Sequence, residues 1–241
     1  RLQPALELLG RVDHPAPRIV YDLGCGRGEM ARLMADRWPE ARVVGSDTSE
    51  EMLAHAAAVA SRVEWELQDV ATWEPEAPVD VIYANAVLHW VPSHDVLFPR
   101  LIGFLAAGGV LAVQMPLSWH EPSHQTLRRV LDEEQLGTAE LRASYAHPPV
   151  AGPEAYYDLL ALRATTVDIW TTRYMQVLHG ADAVLDWGKG SLLRPLVDAV
   201  TEDEMSHFLD IYAGRLRKAY PSRPGGETLF PFPRLFIVAT R

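Results

Sequence analysis

The sequence predicts an α/β fold built on a doubly wound, Rossmann-like sheet, and two observations support this. Short apolar runs alternate with amphipathic stretches along the first half of the chain, which is typical of βαβ units and a parallel sheet. A glycine-rich turn joins the first apolar run to the amphipathic stretch that follows it. The chain has 241 residues, of which 48% are hydrophobic, so we expect one domain with insertions.

The first half of the chain contains five predicted strands and three predicted helices. The strands are 18–22, 41–47, 63–68, 79–85 and 110–115, and the helices are 28–38, 49–59 and 94–105. The pair Gly108-Gly109 indicates the turn from the third helix into the fifth strand. Two later β-rich runs, 165–174 and 235–240, complete a seven-stranded sheet. We expect the mostly helical residues 181–220, within an insertion of about 176–230, to form a cap over the carboxyl edge of that sheet.

The net charge and the cysteine content exclude several classes of binding partner and of structural site. The net charge is −10, from 32 acidic and 22 basic residues, and such a surface repels nucleic acid and anionic lipid. We therefore expect neither as a partner, and an acidic small substrate would need basic residues inside its pocket. The single cysteine, Cys25, excludes an intramolecular disulfide and a multi-cysteine zinc site. No stretch of about 18 apolar residues is present, so we expect a cytoplasmic protein, with its oligomeric state open.

The strongest local signal is the segment 20–29, Val-Tyr-Asp-Leu-Gly-Cys-Gly-Arg-Gly-Glu, at the junction of the first strand and the first helix. Glycines at 24, 26 and 28 allow a sharp turn and the close approach of a ligand, although a tight turn without a ligand is the alternative. The GxGxxG pattern of nicotinamide sites would need glycine at 29, where this chain has Glu29. Asp22 would also oppose a pyrophosphate. A sulfonium nucleoside that bears an ammonium group fits better than a dinucleotide.

Polar residues end the next three strands as well. Asp47 can accept hydrogen bonds from both hydroxyls of a ribose, or it can begin the next helix as an N-cap together with Thr48 or Ser49. Asp69 offers a carboxylate to an adenine amino group, with Val70 against the ring, and Asn85 can hold a methionine moiety. The candidate cofactor-binding residues are Asp22, Gly24, Cys25, Gly26, Gly28, Asp47, Thr48, Met52, Gln68, Asp69, Val70, Asn85 and Ala86.

Several further segments are more specific than the glycine turn. They include Arg-Trp-Pro at 37–39, Asp-Thr-Ser at 47–49, Asn-Ala-Val-Leu-His-Trp-Val-Pro at 85–92, Gln-Met-Pro at 114–116, Glu-Pro-Ser-His at 121–124, Tyr-Tyr at 156–157, Val-Asp-Ile-Trp at 167–170, Asp-Trp at 186–187, Leu-Arg-Pro at 193–195 and Phe-Pro-Arg-Leu-Phe-Ile-Val-Ala at 232–239. On these segments the chain resembles the class I methyltransferases and, more narrowly, the trans-aconitate 2-methyltransferase family, over nearly its whole length.

The resemblance implies a cofactor, a substrate class and a division of the chain. The cofactor is S-adenosyl-L-methionine, with S-adenosyl-L-homocysteine as product, and the acceptor is a carboxylate of trans-aconitate or of a similar small polycarboxylate. Residues 1–115 are then the cofactor-binding half and 116–241 the substrate-covering half of one domain, 1–241. Family members begin with an aromatic-rich segment ahead of Arg1, so we expect residues to precede it. Leu117-Ser118 and the turn 190–195 depart from the family pattern and bear on the acid pocket.

A carboxylate acceptor is already ionised at neutral pH, so we expect no catalytic triad and instead arginines that hold the other carboxylates. The residues expected to act on the substrate are His89, Trp90, Arg194 and Arg173. Each has an alternative: a helix cap for His89, an exposed arginine for Arg194 and a salt bridge for Arg173. Arg234, ahead of the last strand, is expected to be structural, and no metal site is expected, since Pro122 separates the two histidines of the 120–124 segment.

Two other functions stay open from the sequence. The first is a methyltransferase with a different acceptor, such as a carrier-bound malonyl group or a hydroxyl, which the departures at Leu117 and Ser118 keep open. The second is a cofactor-binding protein without catalysis, which the intact polar residues at four strand ends argue against.

Overall fold

The structure, a computed structural model, describes residues 2–190, 192–197 and 199–241, without the side chains of Arg194 and Pro195. The chain forms two compact units. Unit 1 contains the residues up to Pro116 together with Pro149–Thr172 and Arg234–Arg241, and unit 2 contains Leu117–Pro148 and Arg173–Pro233. The division into a cofactor-binding and a substrate-covering half concerns function and stays a prediction.

The strands form one seven-stranded sheet in the order β3-β2-β1-β4-β5-β7-β6. They are β1 (Ile19–Leu23), β2 (Arg42–Asp47), β3 (Glu64–Leu67), β4 (Val79–Asn85), β5 (Leu105–Pro116), β6 (Thr166–His179) and β7 (Glu227–Thr240). Strands β1 to β5 pair in parallel, and β7 lies antiparallel to β5. The predicted doubly wound sheet is therefore confirmed. The strand order reverses at β1, between β2 and β4, which is where open α/β sheets bind ligands.

The helices are short except for α10. They are α1 (Leu2–Gly10), α2 (Glu29–Arg37), α3 (Glu50–Ala57), α4 (His94–Gly103), α5 (Pro122–Glu133), α6 (Ala139–Ser144), α7 (Pro153–Leu160), α8 (Ala183–Lys189), α9 (Arg194–Val197) and α10 (Glu202–Ala219). A 3₁₀ turn, Leu88–Trp90, follows β4. No helix in the described part of the chain is both long and apolar enough to cross a bilayer.

The fifth strand begins at Leu105, whereas the sequence predicted a helix to 105 and a strand from 110. Helix α4 ends at Gly103, and Leu105 already pairs with Val79 of β4. The register of the two strands then shifts between Val79 and Val81, which accommodates the extra residues as an irregularity in the strand. The left-handed conformation of Gly108, with φ of 77°, makes this irregularity possible. The glycine pair was therefore wrongly assigned to the end of a helix.

Strands β6 and β7 extend beyond their predicted ends, so the helical part of the insertion is shorter than 176–230. It runs from the start of α8 to the end of α10. In β7, buried and less buried residues alternate from Glu227 through Pro233, which is the period of a strand. Pro231 and Pro233 caused the underestimate, because proline in a run normally argues against a strand.

Each unit has its own apolar core. In unit 1, all residues of β4 before Asn85 are buried, as are those of β5 from Val110 to Met115. This near-continuous burial is typical of a sheet covered on both faces. In unit 2, α5 and α10 pack against each other, and the core includes the aromatic residues Phe208, Tyr212 and Phe230.

Tyr83 of β4 links the sheet of unit 1 to α1. It is fully buried, and its hydroxyl donates a hydrogen bond to the Ala5 carbonyl at 2.7 Å. Tyr83→Phe leaves that carbonyl without its donor, so we expect unfolding to become easier by about 1–2 kcal/mol in urea titrations. Tyr157→Phe is the matched control, since Tyr157 is 54% exposed and should change stability little. Equal urea midpoints for the two variants would contradict the role given to this bond.

Candidate cofactor and substrate site

The glycine turn after β1 is built from three left-handed glycines. Gly24, Gly26 and Gly28 have φ values of 68°, 55° and 74°, a region that other residues rarely adopt. The turn is fixed to β2 by the Cys25 amide, which donates to the Ser46 carbonyl at 2.9 Å. The Gly28 amide donates back to Cys25, and α2 begins at the next residue. The turn therefore brings a series of backbone amides to the carboxyl end of β1.

Two of these glycines are required by packing rather than by a ligand. A Cβ at Gly28 would lie 2.2 Å from the indole of Trp65, and one at Gly24 would lie 2.3 Å from Val87. The same indole would meet a Cβ at Gly45 at 2.5 Å. Trp65 of β3 thus lies against both the turn and β2. Trp65 was not among the predicted site residues, because its position opposite Gly45 depends on the register of β2 and β3.

Gly26 differs from its neighbours, because no atom of the described residues lies within 4 Å of a Cβ placed there. Its amide donates to Asp47 Oδ2 at 2.9 Å, and Asp47 Oδ1 accepts from the Ser49 amide at 2.9 Å. Asp47 therefore joins the glycine turn to the start of α3. The N-cap of α3 is Ser49, whose hydroxyl accepts from the Met52 amide, so Asp47 itself is not the cap. Each Asp47 oxygen keeps a further lone pair for a ligand hydroxyl.

The end of β3 lies beside the end of β2. The Gln68 amide donates to the Asp47 carbonyl at 3.0 Å, and Thr48 next to it is exposed. Asp69 is exposed, and its Oδ1 accepts from the Ala71 amide at 2.8 Å, which fixes a tight turn. Val70 is only 4% exposed, so its side chain packs into the protein.

Asp22 is a buried acid beside the turn, and Cys25, within the turn, is half-buried. Asp22 is 2% exposed, and its Oδ2 has no hydrogen-bond partner among the described residues. Burial raises the pKa of Asp22 to about 8, and the negative charge of Asp47 adds to this effect. Burial also raises the pKa of the Cys25 thiol, with further contributions from Asp22 and Asp47, so the thiol stays protonated and unreactive.

The end of β4 carries strained backbone and buried polar atoms. Ala86 adopts a left-handed conformation with φ of 56°, and its amide donates to the Gln114 carbonyl of β5 at 2.8 Å. A non-glycine residue in this region costs about 1–2 kcal/mol, and such strain is concentrated at functional sites. Asn85 Oδ1 is buried and accepts no hydrogen bond from any residue that the structure describes. These features agree with the prediction that Asn85 and Ala86 contact a ligand, which stays a prediction.

The 3₁₀ turn after β4 presents His89 and Trp90. Burial lowers the pKa of His89 to about 3, and electrostatic interactions with Arg234 and then His94 contribute, so the imidazole is neutral at physiological pH. Its Nδ1 is buried and lacks a partner within the described ranges. Trp90 is 59% exposed, and its ring centroid lies 4.7 Å from that of His89.

His94 of α4 supports this turn. Its Nε2 contacts the Leu88 carbonyl at 2.9 Å, and its Nδ1 contacts the Tyr156 hydroxyl at 2.7 Å. Both ring nitrogens are therefore engaged in holding the turn, and His94 is structural.

The two arginines expected to bind substrate belong to unit 2. Arg173 forms an ion pair with Glu121 at 3.0 Å, with side-chain exposures of 60% and 11%. This is the salt bridge that the sequence analysis gave as the alternative to substrate contact. The side chain of Arg194 lies outside what the structure describes.

The residues that the structure brings together in unit 1 fit S-adenosylmethionine. Gly26 leaves room beside a row of amides, Asp47 offers carboxylate oxygens near the same position, and buried acceptors on Asp22 and Asn85 lack partners in the described part of the chain. Acceptors of this kind suit an ammonium group and ribose hydroxyls. Within the ranges that the structure describes, no group of three histidine, cysteine or acidic side chains is placed to hold a metal ion.

Alanine substitutions at Gly26 and Gly28 distinguish a glycine that leaves room for a ligand from a glycine that is required by packing. Both residues have positive φ, so each variant carries about 1–2 kcal/mol of backbone strain. Gly28→Ala adds a clash with the Trp65 ring at 2.2 Å, and we expect it to lose about 1–3 kcal/mol more than Gly26→Ala in urea titrations. Gly26→Ala should stay folded but weaken S-adenosylhomocysteine binding, measured by calorimetry. If Gly26→Ala binds S-adenosylhomocysteine with wild-type affinity, the cofactor does not occupy the open space beside Gly26.

The raised pKa of Asp22 predicts pH-dependent cofactor binding. Below its pKa of about 8 the free protein holds a proton on this carboxyl, whereas a bound ammonium group favours the ionised form. Binding therefore releases a proton, and the affinity for S-adenosylhomocysteine should rise up to about tenfold per pH unit from pH 6 towards 8 and level off above it. Calorimetry in two buffers of different ionisation enthalpy measures the proton. Asp22→Asn is the control and should bind without this pH dependence; a pH-independent wild type would refute the assignment.

Comparison with known proteins identifies the class of enzyme. Residues 20–109 match a family described as methyltransferase domain. Trans-aconitate 2-methyltransferases from three bacteria align with all of this chain: that of Azoarcus sp. is 45% identical and aligned over 94% of its length, that of Methylobacterium radiotolerans 46% over 94%, and that of Escherichia coli O7:K1 42% over 93%.

Solved structures share the fold at low sequence identity. The YcgJ protein from Bacillus subtilis superposes with a TM-score of 0.62 at 12% identity, covering 98% of this chain and 97% of that protein. Phosphoethanolamine N-methyltransferase 2 of Haemonchus contortus, solved with S-adenosyl-L-methionine, has a TM-score of 0.56 at 16% identity, covering 99% of this chain and 52% of that protein. The predicted class I methyltransferase fold is thus confirmed, and the full-length similarity shows that this chain belongs to the trans-aconitate 2-methyltransferase family.

Proposed function

We propose that this chain transfers a methyl group from S-adenosyl-L-methionine to one carboxylate of trans-aconitate, giving a monomethyl ester in the cytoplasm. The observation that carries the substrate is the 42–46% identity with trans-aconitate 2-methyltransferases along the entire chain. The site in unit 1 supports the chemistry, because a glycine turn suited to a nucleoside lies at the same sheet edge as His89, Asn85 and Gln114.

The cofactor-binding residues act at the ends of successive strands. Asp47 binds the ribose hydroxyls through the lone pairs that Gly26 and Ser49 leave, and Asp69 accepts a hydrogen bond from the adenine amino group. Asp22 and Asn85 bind the ammonium group of the methionine moiety, which supplies the missing partner for their buried oxygens. The remaining predicted contacts, from Cys25, Thr48, Met52, Gln68 and Val70, rest on their position in the same strand-end segments.

Bound S-adenosylmethionine supplies an electrophilic methyl group, and the protein has to position the acceptor in line with it. The acceptor carboxylate is ionised at neutral pH, so no residue needs to remove a proton. His89 is suited to this reaction because it is neutral and can donate a hydrogen bond to a substrate oxygen without competing for charge. Burial of the site favours the reaction, because charge is lost as the carboxylate attacks the sulfonium methyl.

Trp90 offers an exposed ring beside His89 that can cover the substrate. Arg173 and Arg194 stay predicted substrate ligands in this proposal. For Arg173, binding a carboxylate requires the guanidinium to bridge Glu121 and the substrate, which its five N–H groups allow.

A different acceptor is the second candidate, and one structural observation favours it. Ser118, one of the two departures from the family pattern, is 4% exposed, and its hydroxyl has no hydrogen-bond partner among the residues described. In this alternative, the Ser118 hydroxyl would gain its missing partner from a different acceptor.

The test is a turnover assay with S-adenosylmethionine and trans-aconitate, in which S-adenosylhomocysteine is followed by mass spectrometry. Citrate, cis-aconitate and a malonyl thioester are assayed in parallel. We expect selective turnover of trans-aconitate, with kcat constant between pH 6 and 9, because the acceptor needs no base and His89 titrates near pH 3. Asp47→Ala is the matched inactive control.

Each other outcome of this assay has a defined meaning. Turnover of the malonyl thioester alone would replace the acceptor and keep the enzyme class. A kcat that rises with pH would indicate an acceptor that must lose a proton. Binding of S-adenosylhomocysteine without turnover of any acceptor would leave a cofactor-binding protein and refute the proposal.

A further inference from the structure

Arg234, expected from the sequence to be structural, lies at the sheet edge that holds the candidate site. It faces Pro116 in the antiparallel β5–β7 pair, and Gln114 of β5 lies beside Asn85 of β4 in the neighbouring pair. Arg234 is therefore at the carboxyl end of the parallel strands, where open α/β sheets bind ligands. The glycine turn of β1 occupies the same edge.

Gln114 holds the guanidinium of Arg234. The Arg234 Nη1 donates to Gln114 Oε1 at 3.3 Å, and Gln114 is only 1% exposed. Because a guanidinium can only donate, the carboxamide oxygen must face it and the amide nitrogen must point elsewhere. That nitrogen, Nε2, is buried, and no described residue accepts a hydrogen bond from it. Gln114 is neutral, so this contact orients the guanidinium without neutralising its charge.

The surroundings of His89 show that this part of the site is positively charged. After burial, the positive charge of Arg234 is the next cause of the lowered pKa of His89, so the guanidinium acts directly on this imidazole. This contrasts with the net charge of −10 of the chain. His94 is engaged at both ring nitrogens by Leu88 and Tyr156, whereas the Arg234 guanidinium has five N–H groups and can donate to a ligand while it keeps its hydrogen bond to Gln114. His89 Nδ1, which is buried and unpartnered in the described ranges, adds a second polar atom to this site.

We propose that Arg234, oriented by Gln114, binds a substrate carboxylate other than the one that is methylated, with Gln114 Nε2 and His89 as additional hydrogen-bond donors. A planar guanidinium matches a carboxylate in two parallel hydrogen bonds, and the Gln114 amide gains the acceptor that it lacks in the described chain. Arg234 is thus a specificity-determining residue that selects polycarboxylates over monocarboxylates. The inference rests on the proposed function and deepens it.

The experiment measures which substrate carboxylate Arg234 recognises. Trans-aconitate is the substrate, and mesaconate, itaconate and glutaconate, which each lack a different one of its three carboxylates, are competitive inhibitors. In Arg234→Gln we expect KM for trans-aconitate to rise at least about 30-fold, because a charged partner is lost. The inhibition constants of two analogues should rise by a similar factor. The third analogue, which lacks the carboxylate bound by Arg234, should inhibit both proteins equally.

Four further measurements separate recognition from folding. S-adenosylhomocysteine affinity should be unchanged in Arg234→Gln, and Arg234→Lys, which keeps the charge but not the planar fork, should give an intermediate KM. Gln114→Met, of similar volume, should raise KM in the same direction and so provides a second test if Arg234→Gln fails to fold. Arg42→Gln is the matched control: Arg42 begins β2 at the opposite edge of the sheet and pairs with Glu64, and its loss should leave KM unchanged.

The outcomes distinguish this inference from the proposed function. If wild-type protein methylates trans-aconitate and Arg234→Gln has unchanged KM, only the inference fails. Equal weakening of all three analogues with normal cofactor affinity would also overturn it, since a single carboxylate would not be recognised. If wild-type protein neither methylates trans-aconitate nor binds any of these polycarboxylates, the proposed function and the inference both fall.

Discussion

The carboxylate of Asp47 is the interaction on which the arrangement of the site depends. It accepts the Gly26 amide from the turn after β1 and the Ser49 amide at the start of α3, so one side chain fixes two loops at the sheet edge. The turn has no internal apolar core, and glycines have the largest backbone entropy to lose on ordering. Asp47 and the ring of Trp65 instead hold the turn in one conformation. The hydrogen-bond partners of the ribose oxygens are therefore in place before a cofactor binds.

Electrostatics divides the site of unit 1 into two parts. Around the glycine turn lie two acids, the buried Asp22 and the half-buried Asp47, and they suit a ligand that carries cationic groups. At the ends of β4, β5 and β7, the charge near His89 is positive. The first part suits the methyl donor and the second suits an anionic acceptor, so the methyl transfer itself needs no general base. In a chain with a net charge of −10, such local separation has to come from individual buried residues.

Much of the fold could be predicted because local patterns and tertiary structure agree in unit 1. Strand β4 was predicted with its observed bounds, since a buried parallel strand forms a continuous apolar run. The ends of β5, β6 and β7 could not be predicted from the sequence. The register shift at Val79 and the continuation of β7 through Pro231 both depend on partner strands that are remote in sequence. The polar residues at the strand ends were identified from their position alone. Trp65 and the Arg234–Gln114 pair were not, because what matters about them is a tertiary contact.

The chain passes between its two units four times, after Pro116, Pro148, Thr172 and Pro233. The first and last passages run side by side, since the Leu117 amide donates to the Pro233 carbonyl at 2.9 Å. Unit 2 is therefore made of two inserted segments rather than a C-terminal extension. Between these segments, Pro149–Thr172 belongs to unit 1. It carries Tyr156, whose hydroxyl contacts His94 and so supports the turn that holds His89. A chimaera that exchanges acceptor preference between relatives has to replace both segments of unit 2 together and keep residues 149–172. A single crossover point would take His94 and its partner Tyr156 from different proteins.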